Sequence, residues 1–247
     1  MSQISQPFVN AGTIYINGMI PAYVSNTTFT VTAGACRNST NINDIIVDSL
    51  TTVDMSTNGI NGLDFGTFAA STLYTIYAVG DSNQANPAGY VVSTNQSVVG
   101  VMPAGYDMQL MIGHIKTDGS IHILPFDYVG NGLVRTMLYR TAVAVLTGGA
   151  ATSFTDVDCS AYAPARKSNL HLNVNLTPNV AGDECDLRIN GNSGVANVFL
   201  TGVVAAVAQK MQAQVMCDAS AIFEYKLQSA SDAVTIYLAG YDEILGL

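Results

Sequence analysis

His114 and His122 stand eight residues apart, and imidazole is both a common metal ligand and the side chain whose ordinary titration falls nearest neutrality. A metal centre built on them needs a third ligand, for which Asp107, Asp118 and Asp127 are the carboxylates at hand. The alternative is that both histidines make hydrogen bonds at a surface or interface, where one of them supplies a pH-sensitive contact. Carboxylates two residues apart on a strand share a face. Asp156 with Asp158, or Asp183 and Glu184 with Asp186, can therefore be pictured as a glycosidase pair or a calcium site. Both groups sit beside turn residues, outside any loop with the ladder of oxygen donors that calcium uses, and read better as solvated turn acids. No Gly-x-Ser-x-Gly, His-Glu-x-x-His or phosphate-loop motif occurs. The sequence assigns no catalytic, cofactor-binding or metal-binding residue and points away from an enzyme.

The remaining reactive groups read the same way. Cys36, Cys159, Cys185 and Cys217 form no Cys-x-x-Cys pair and no metal-like spacing with the histidines, which suits buried free thiols. The Asn-x-Ser/Thr triplets at Asn26, Asn38 and Asn95 arise by chance in a chain this rich in Asn and Thr. Arg166-Lys167, after Pro164, is a solvated loop pair rather than a nucleic-acid patch.

The elements that must position these residues are strands, because alternation with period two recurs and helical periodicity is nearly absent. Residues 72–79, Thr-Leu-Tyr-Thr-Ile-Tyr-Ala-Val, are apolar or β-branched on both faces and predict a central, doubly covered strand. Residues 109–115 and 120–124 flank Lys116-Thr117-Asp118-Gly119, whose Asp-Gly predicts a tight hairpin. Leu170, Leu172, Val174 and Leu176 alternate with His171, Asn173 and Asn175; Phe223, Tyr225 and Leu227 alternate with Glu224, Lys226 and Gln228. Val234, Ile236 and Leu238 continue the theme against Thr235, Tyr237 and Ala239. Residues 203–217 have the Ala and Gln content of a helix, yet Met211, Ala213, Val215 and Cys217 alternate, which favours a strand.

Only 11% of the 247 residues are charged, against about 25% in ordinary globular chains. Asn, Thr, Ser, Gly and Gln cover the surface instead, and such short polar side chains favour turns and strand faces. Nine basic against eighteen acidic residues give a net charge of −9, which excludes a phosphate backbone as a natural partner. The N-terminal residues lack the basic and apolar regions of a signal peptide, and no apolar run reaches the ~20 residues of a membrane span. Folding in a cytoplasm, without export by a cleaved signal and without membrane insertion, is expected.

Only Arg37 and Lys116 are cationic before residue 133; the other seven cations follow. That shift, with the turn-forming Gly130-Asn131-Gly132, places a linker near 127–136. The expected organisation is an N-terminal β-rich module over 1–130 and a C-terminal antiparallel, jelly-roll-like β-sandwich over 131–247. The first module holds turn-rich sequence at 39–66 with short strands such as 44–50.

Val101-Met102-Pro103-Ala104-Gly105-Tyr106-Asp107, followed by Ile112-Gly113 and Thr117-Asp118-Gly119-Ser120, resembles a pattern of tailed-bacteriophage virion and tail-fibre proteins, a Pro-x-Gly-Tyr-Asp turn before an Ile-Gly…Thr-Asp-Gly hairpin. Met102 and residues 109–111 stand where the familiar form has a leucine and arginines. Residues 155–160, 187–191, 223–227 and 234–241 resemble a C-terminal β-sandwich of such appendages. The resemblance implies a structural component of a phage virion: a tail or head fibre, an appendage or a capsid-decorating protein. It would be made in the host cytoplasm and act by self-assembly, with a trimer as the favoured homo-oligomer. Other virion proteins are expected partners, and cofactors are not. Host attachment through a surface glycan or protein is the alternative, which exposed aromatics near Tyr162 or at Tyr237 and Tyr241 would support. A polysaccharide depolymerase stands third.

Overall fold

The computed structural model describes residues 14–245, and among these it contains nineteen strands and no helix. Residues 1–7, read above for a leader, lie outside them. Two three-stranded sheets come first. One has the order β1 (Ile16–Gly18), β4 (Gly34–Arg37), β5 (Asp44–Val47); the other has the order β2 (Pro21–Tyr23), β3 (Thr28–Val31), β6 (Thr51–Asp54). A four-stranded sheet follows in the order β10 (Met108–Lys116), β8 (Leu73–Gly80), β9 (Gly89–Ser93), β7 (Gly62–Leu63), with only β7 and β9 parallel. β8 is buried along residues 74–80 and lies between two neighbours, as its two apolar faces require.

The second half of the chain is an antiparallel sandwich. Its larger sheet has the order β11 (Phe126–Val129), β12 (Val134–Gly149), β19 (Ala233–Ile244), β14 (Asn169–Thr177), β17 (Gln209–Met216). The smaller has the order β13 (Thr155–Asp158), β18 (Ile222–Leu227), β15 (Glu184–Ile189), β16 (Val198–Thr201). The alternating apolar sets at 170–176, 223–227 and 234–238 all point into one core, and their polar alternates face out. The fold is thus all-β throughout. Residues 209–216 form a strand despite their Ala and Gln, because Ala213 and Val215 complete the buried face.

The hairpin expected over 109–124 has only its first arm. β10 pairs with β8, and residues 120–124 contribute a single bridge, Thr117 to Ile123. The Asp118 carboxylate explains this. It accepts the N–H groups of Ser120 at 2.8 Å and His122 at 2.9 Å, which curls the chain into a wide turn with Ile121 at a φ of +63°. Asp218 repeats the device, accepting from Ser220 and Ile222, with Ala221 at a φ of +61°.

Residues 127–136, read above as a linker, are the arms and turn of a hairpin: β11 pairs with β12, Phe126 opposite Tyr139 and Val129 opposite Thr136. Gly130, at a φ of +104°, turns the chain rather than separating two bodies. Phe126 is fully buried, with ring centroids 6.3 Å from Tyr23, 6.4 Å from Phe29 and 5.7 Å from Tyr128. One apolar cluster therefore continues from the first sheets into the sandwich.

Candidate functional site

The inner face of the β11-β12-β19 end of the large sheet carries charge. Arg135 and Glu243 are cross-strand partners in the β12–β19 ladder, and both are buried. Arg135 Nη1 donates to the carbonyls of Met19 at 2.7 Å and Ile112 at 3.2 Å, and Nη2 donates to Gly18. Those carbonyls belong to the β1–β2 turn and to β10, so one guanidinium ties three sheets together. Burial lowers its affinity for the proton, which the negative Glu243 nearby opposes.

Glu243 Oε1 lies 2.7 Å from Nδ1 of His114, and neither side chain is exposed. The Tyr128 hydroxyl accepts the His114 N–H at 2.7 Å and stands 3.2 Å from each oxygen of Glu243. Burial, and then the Glu243 charge, push the Tyr128 phenol far above its ordinary range, so it stays a donor. A Cβ on Gly113 would lie 2.7 Å from that hydroxyl, which gives the Ile-Gly of the motif a physical role: it makes room for Tyr128. His114 Nε2 and the Tyr241 hydroxyl are buried without a hydrogen-bond partner among the described residues. With no path to solvent, the cluster is a lock between sheets rather than a site for a substrate.

The outer face of the same sheet carries a second histidine–carboxylate pair. Asp242 Oδ1 accepts from the Thr136 hydroxyl at 2.7 Å and from His171 Nε2 at 2.9 Å, and Oδ2 accepts from the Asn169 amide at 3.1 Å. Gln214 Nε2 lies 3.2 Å from His171 Nδ1. Partial burial pushes the Asp242 carboxyl up, but these hydrogen bonds outweigh it and hold the group below the usual carboxylate range. Beside the network lies an open depression of about 280 Å³, lined by Leu138, His171, Asn173, Gln212, Gln214 and Ala239, among others.

The other residues singled out by sequence disperse. His122 is exposed beside Asp118, far from His114's burial, so the pair shares no site; His114 is a core residue and not a surface contact. Asp107 accepts from the Ser82 N–H at 2.8 Å, and Asp127 holds Arg140 through two bonds. No group of three His, Cys, Asp or Glu among the described residues is placed to hold a metal ion. Asp156 and Asp158 are solvated as expected, but Asp183 and Asp186 are buried: Asp183 accepts from the Val180 N–H at 2.9 Å, and Asp186 pairs with Lys226 at 2.9 Å.

Tyr241 is buried, and Tyr162 is half-buried under Lys116, so neither adds an exposed aromatic; Tyr237 is half-exposed on the outer face. The four cysteines are buried and free, and burial raises the Cys36 and Cys185 thiols to about 12. Arg166 donates to the Gln96 carbonyl at 3.3 Å. Tyr106 of the Pro-x-Gly-Tyr-Asp turn donates to the Pro87 carbonyl at 2.8 Å. No helix among the described residues is long and apolar enough to cross a membrane.

A further surface went unmarked by motif reading. Between Arg188 and Lys210 the sequence has no charged residue, and Val195, Phe199, Val203, Val204 and Val207 are each at least half exposed. The loop that carries three of these valines is held in place. Gln209 accepts the Val203 N–H at 2.9 Å and donates to the Val204 carbonyl at 3.0 Å, while Ala206 N–H reaches the Pro178 carbonyl at 2.7 Å.

No protein-family model matches the chain, and no curated protein matches it. Solved structures that it is similar to include a viral particle of infectious bursal disease virus, at 12% identity and a TM-score of 0.23, covering 94% of this chain and 68% of that one. The infectious bursal disease virus VP2 subviral particle gives 12% identity, a TM-score of 0.21 and coverage of 96% and 68%. Neither reaches the level of a shared fold.

Proposed function

We propose that the chain is a non-enzymatic structural subunit of a virus particle, of the tailed-phage fibre, appendage or decoration kind that its motifs resemble. The carrying observation is the uncharged 189–209 surface with its pinned, exposed valines. Monomeric proteins rarely present a contiguous apolar patch of this kind, and charge depletion marks the core of an interface. A floppy apolar loop would collapse; this one is held open by hydrogen bonds. In this reading residues 1–130 anchor, residues 131–247 project, and a closed homo-oligomer, a trimer first, buries the patch. The test is solution mass by light scattering for the native chain and for Val203→Asp with Val204→Asp. A closed oligomer that the double substitution dissociates, with circular dichroism unchanged, is the expected result. A native monomer at all concentrations overturns the reading.

The outer-face depression favours a second reading, attachment to a host glycan. Amides, an imidazole and a carboxylate already oriented by hydrogen bonds are what a neutral sugar's hydroxyls require, and Tyr237 offers a ring on the same face. Binding of intact host cells that is lost in Gln212→Ala with Asn173→Ala supports it; equal binding by the variant removes it.

A further inference from the structure

We propose that the open edge of β5 docks one extended segment of a different protein, carrying a cation, an apolar residue and a cation at alternate positions. β5 is the outer strand of its sheet. The Asn38 N–H donates to Asn43 at 2.9 Å, and the Arg37 N–H donates the other way, to Tyr15 at 3.0 Å. Antiparallel bonding alternates, so Ile45 and Val47 spend their backbone groups on β4, whereas Asp44 and Ile46 aim theirs outward. Such an edge is a template for strand addition unless it is covered.

Beside the edge runs an open cleft of about 940 Å³, with Asp44, Ile46 and Asp48 on one wall and Asp81, Ser82 and Asn86 on the other. The far wall is preformed: Asp81 accepts from the backbone of Asn83, Ala85 and Asn86 at 2.8 to 3.1 Å. Three carboxylates face one cation, Arg37, in this cleft. Asp44, Ile46 and Asp48 lie on one face by strand alternation, and Ile46 is 47% exposed.

The occupant's chemistry follows from this row. Residues opposite Asp48, Ile46 and Asp44 should read cation, apolar, cation, because opposite charges across strands attract and like charges repel. Two β5 edges pairing antiparallel about Ile46 would set Asp44 against Asp48. No two of the nine Lys and Arg are four residues apart, so no segment of this chain supplies the pattern. The occupant is another polypeptide. The inference is independent of the proposed assembly role, since the 189–209 surface lies on a different sheet.

The test titrates the full chain with a fluorescent Thr-Lys-Thr-Val-Thr-Lys-Thr peptide, followed by anisotropy. Saturable binding is expected, absent for the same peptide with glutamates in place of lysines. Asp48→Lys should weaken it about fivefold at low salt. Ile46→Pro removes an outward N–H without touching a β4 bond, and should weaken binding about tenfold. If that proline disturbs the sheet, Asp48→Lys still decides. No saturable binding to millimolar peptide, equal binding of the glutamate peptide, or unchanged affinity in Asp48→Lys overturns the proposal. Tighter binding of a peptide of residues 4–10 overturns it too, by making the chain's own N-terminal segment the occupant. The oligomer mass should be unchanged in Asp48→Lys, which keeps this result separate from the assembly test.

Discussion

Asp242 and Glu243 are neighbours on β19, and each holds a histidine. Strand alternation sends Asp242 outward to His171 and Glu243 inward to His114. The outer pair is 23% and 29% exposed, shares its charges with water and with Thr136 and Asn169, and can lose a partner without stranding the other. The inner pair has no such recourse. Breaking a desolvated pair leaves an uncompensated charge, so like chemistry one residue apart carries very different weight. The first pair shapes a surface; the second fixes how the sheets meet.

The comparison is broken most directly by Glu243→Ala, which should cost about 3–5 kcal/mol in urea denaturation, against about 1 kcal/mol or less for Asp242→Ala. Equal losses would mean that Glu243 is hydrated after all. Next, Arg135→Met should cost about 3 kcal/mol, since three carbonyls lose a charged donor. A double-mutant cycle for His171 and Asp242 should give about 0.5–1 kcal/mol of coupling that fades in 1 M salt, whereas the His114–Glu243 coupling persists.

Acid sharpens the contrast further. The Asp242 carboxyl is depressed in the folded state, so its stabilisation is complete above the unfolded value of about 3.9. It is lost as pH falls through the folded value, so Asp242→Asn should flatten the stability profile below about pH 4. The smallest effect lies outside both pairs. Ile121→Gly, at a φ of +63° on an exposed turn, should stabilise by about 0.5–1 kcal/mol in the same assay.

Much of the fold was legible because period-two patterning is set by one dry and one wet face. Residues 170–176 and 223–227 show it plainly, and the Asp118 turn and the buried thiols followed from residue type. The inner cluster was not legible. Arg135 stands in phase with Met137 and Tyr139, and a charge in the apolar phase of a strand was the available signal. Glu243 was harder, because an irregularity beside Ala239 shifts the alternation between Leu238 and Tyr241. His114 looked like a polar alternate only because the four-stranded sheet's second covering face, built by β11 and β19, is distant in sequence. The 189–209 surface carried its signal in what it lacks, a charged residue, which a search for motifs passes over.

The position of β19 between β12 and β14 sets an order of events. It is the last of the nineteen strands to leave the ribosome, yet it is the seam of the large sheet, with β12 and β14 both waiting for it. Until it emerges, two hydrogen-bonding edges stand open, and their closure spans about ninety residues of chain. Glu243 and Asp242 arrive together near its end. Synthesis therefore times maturation: a chain cut short before β19 has neither the lock inside nor the finished face outside, and should be recognised by the cell as unfinished protein.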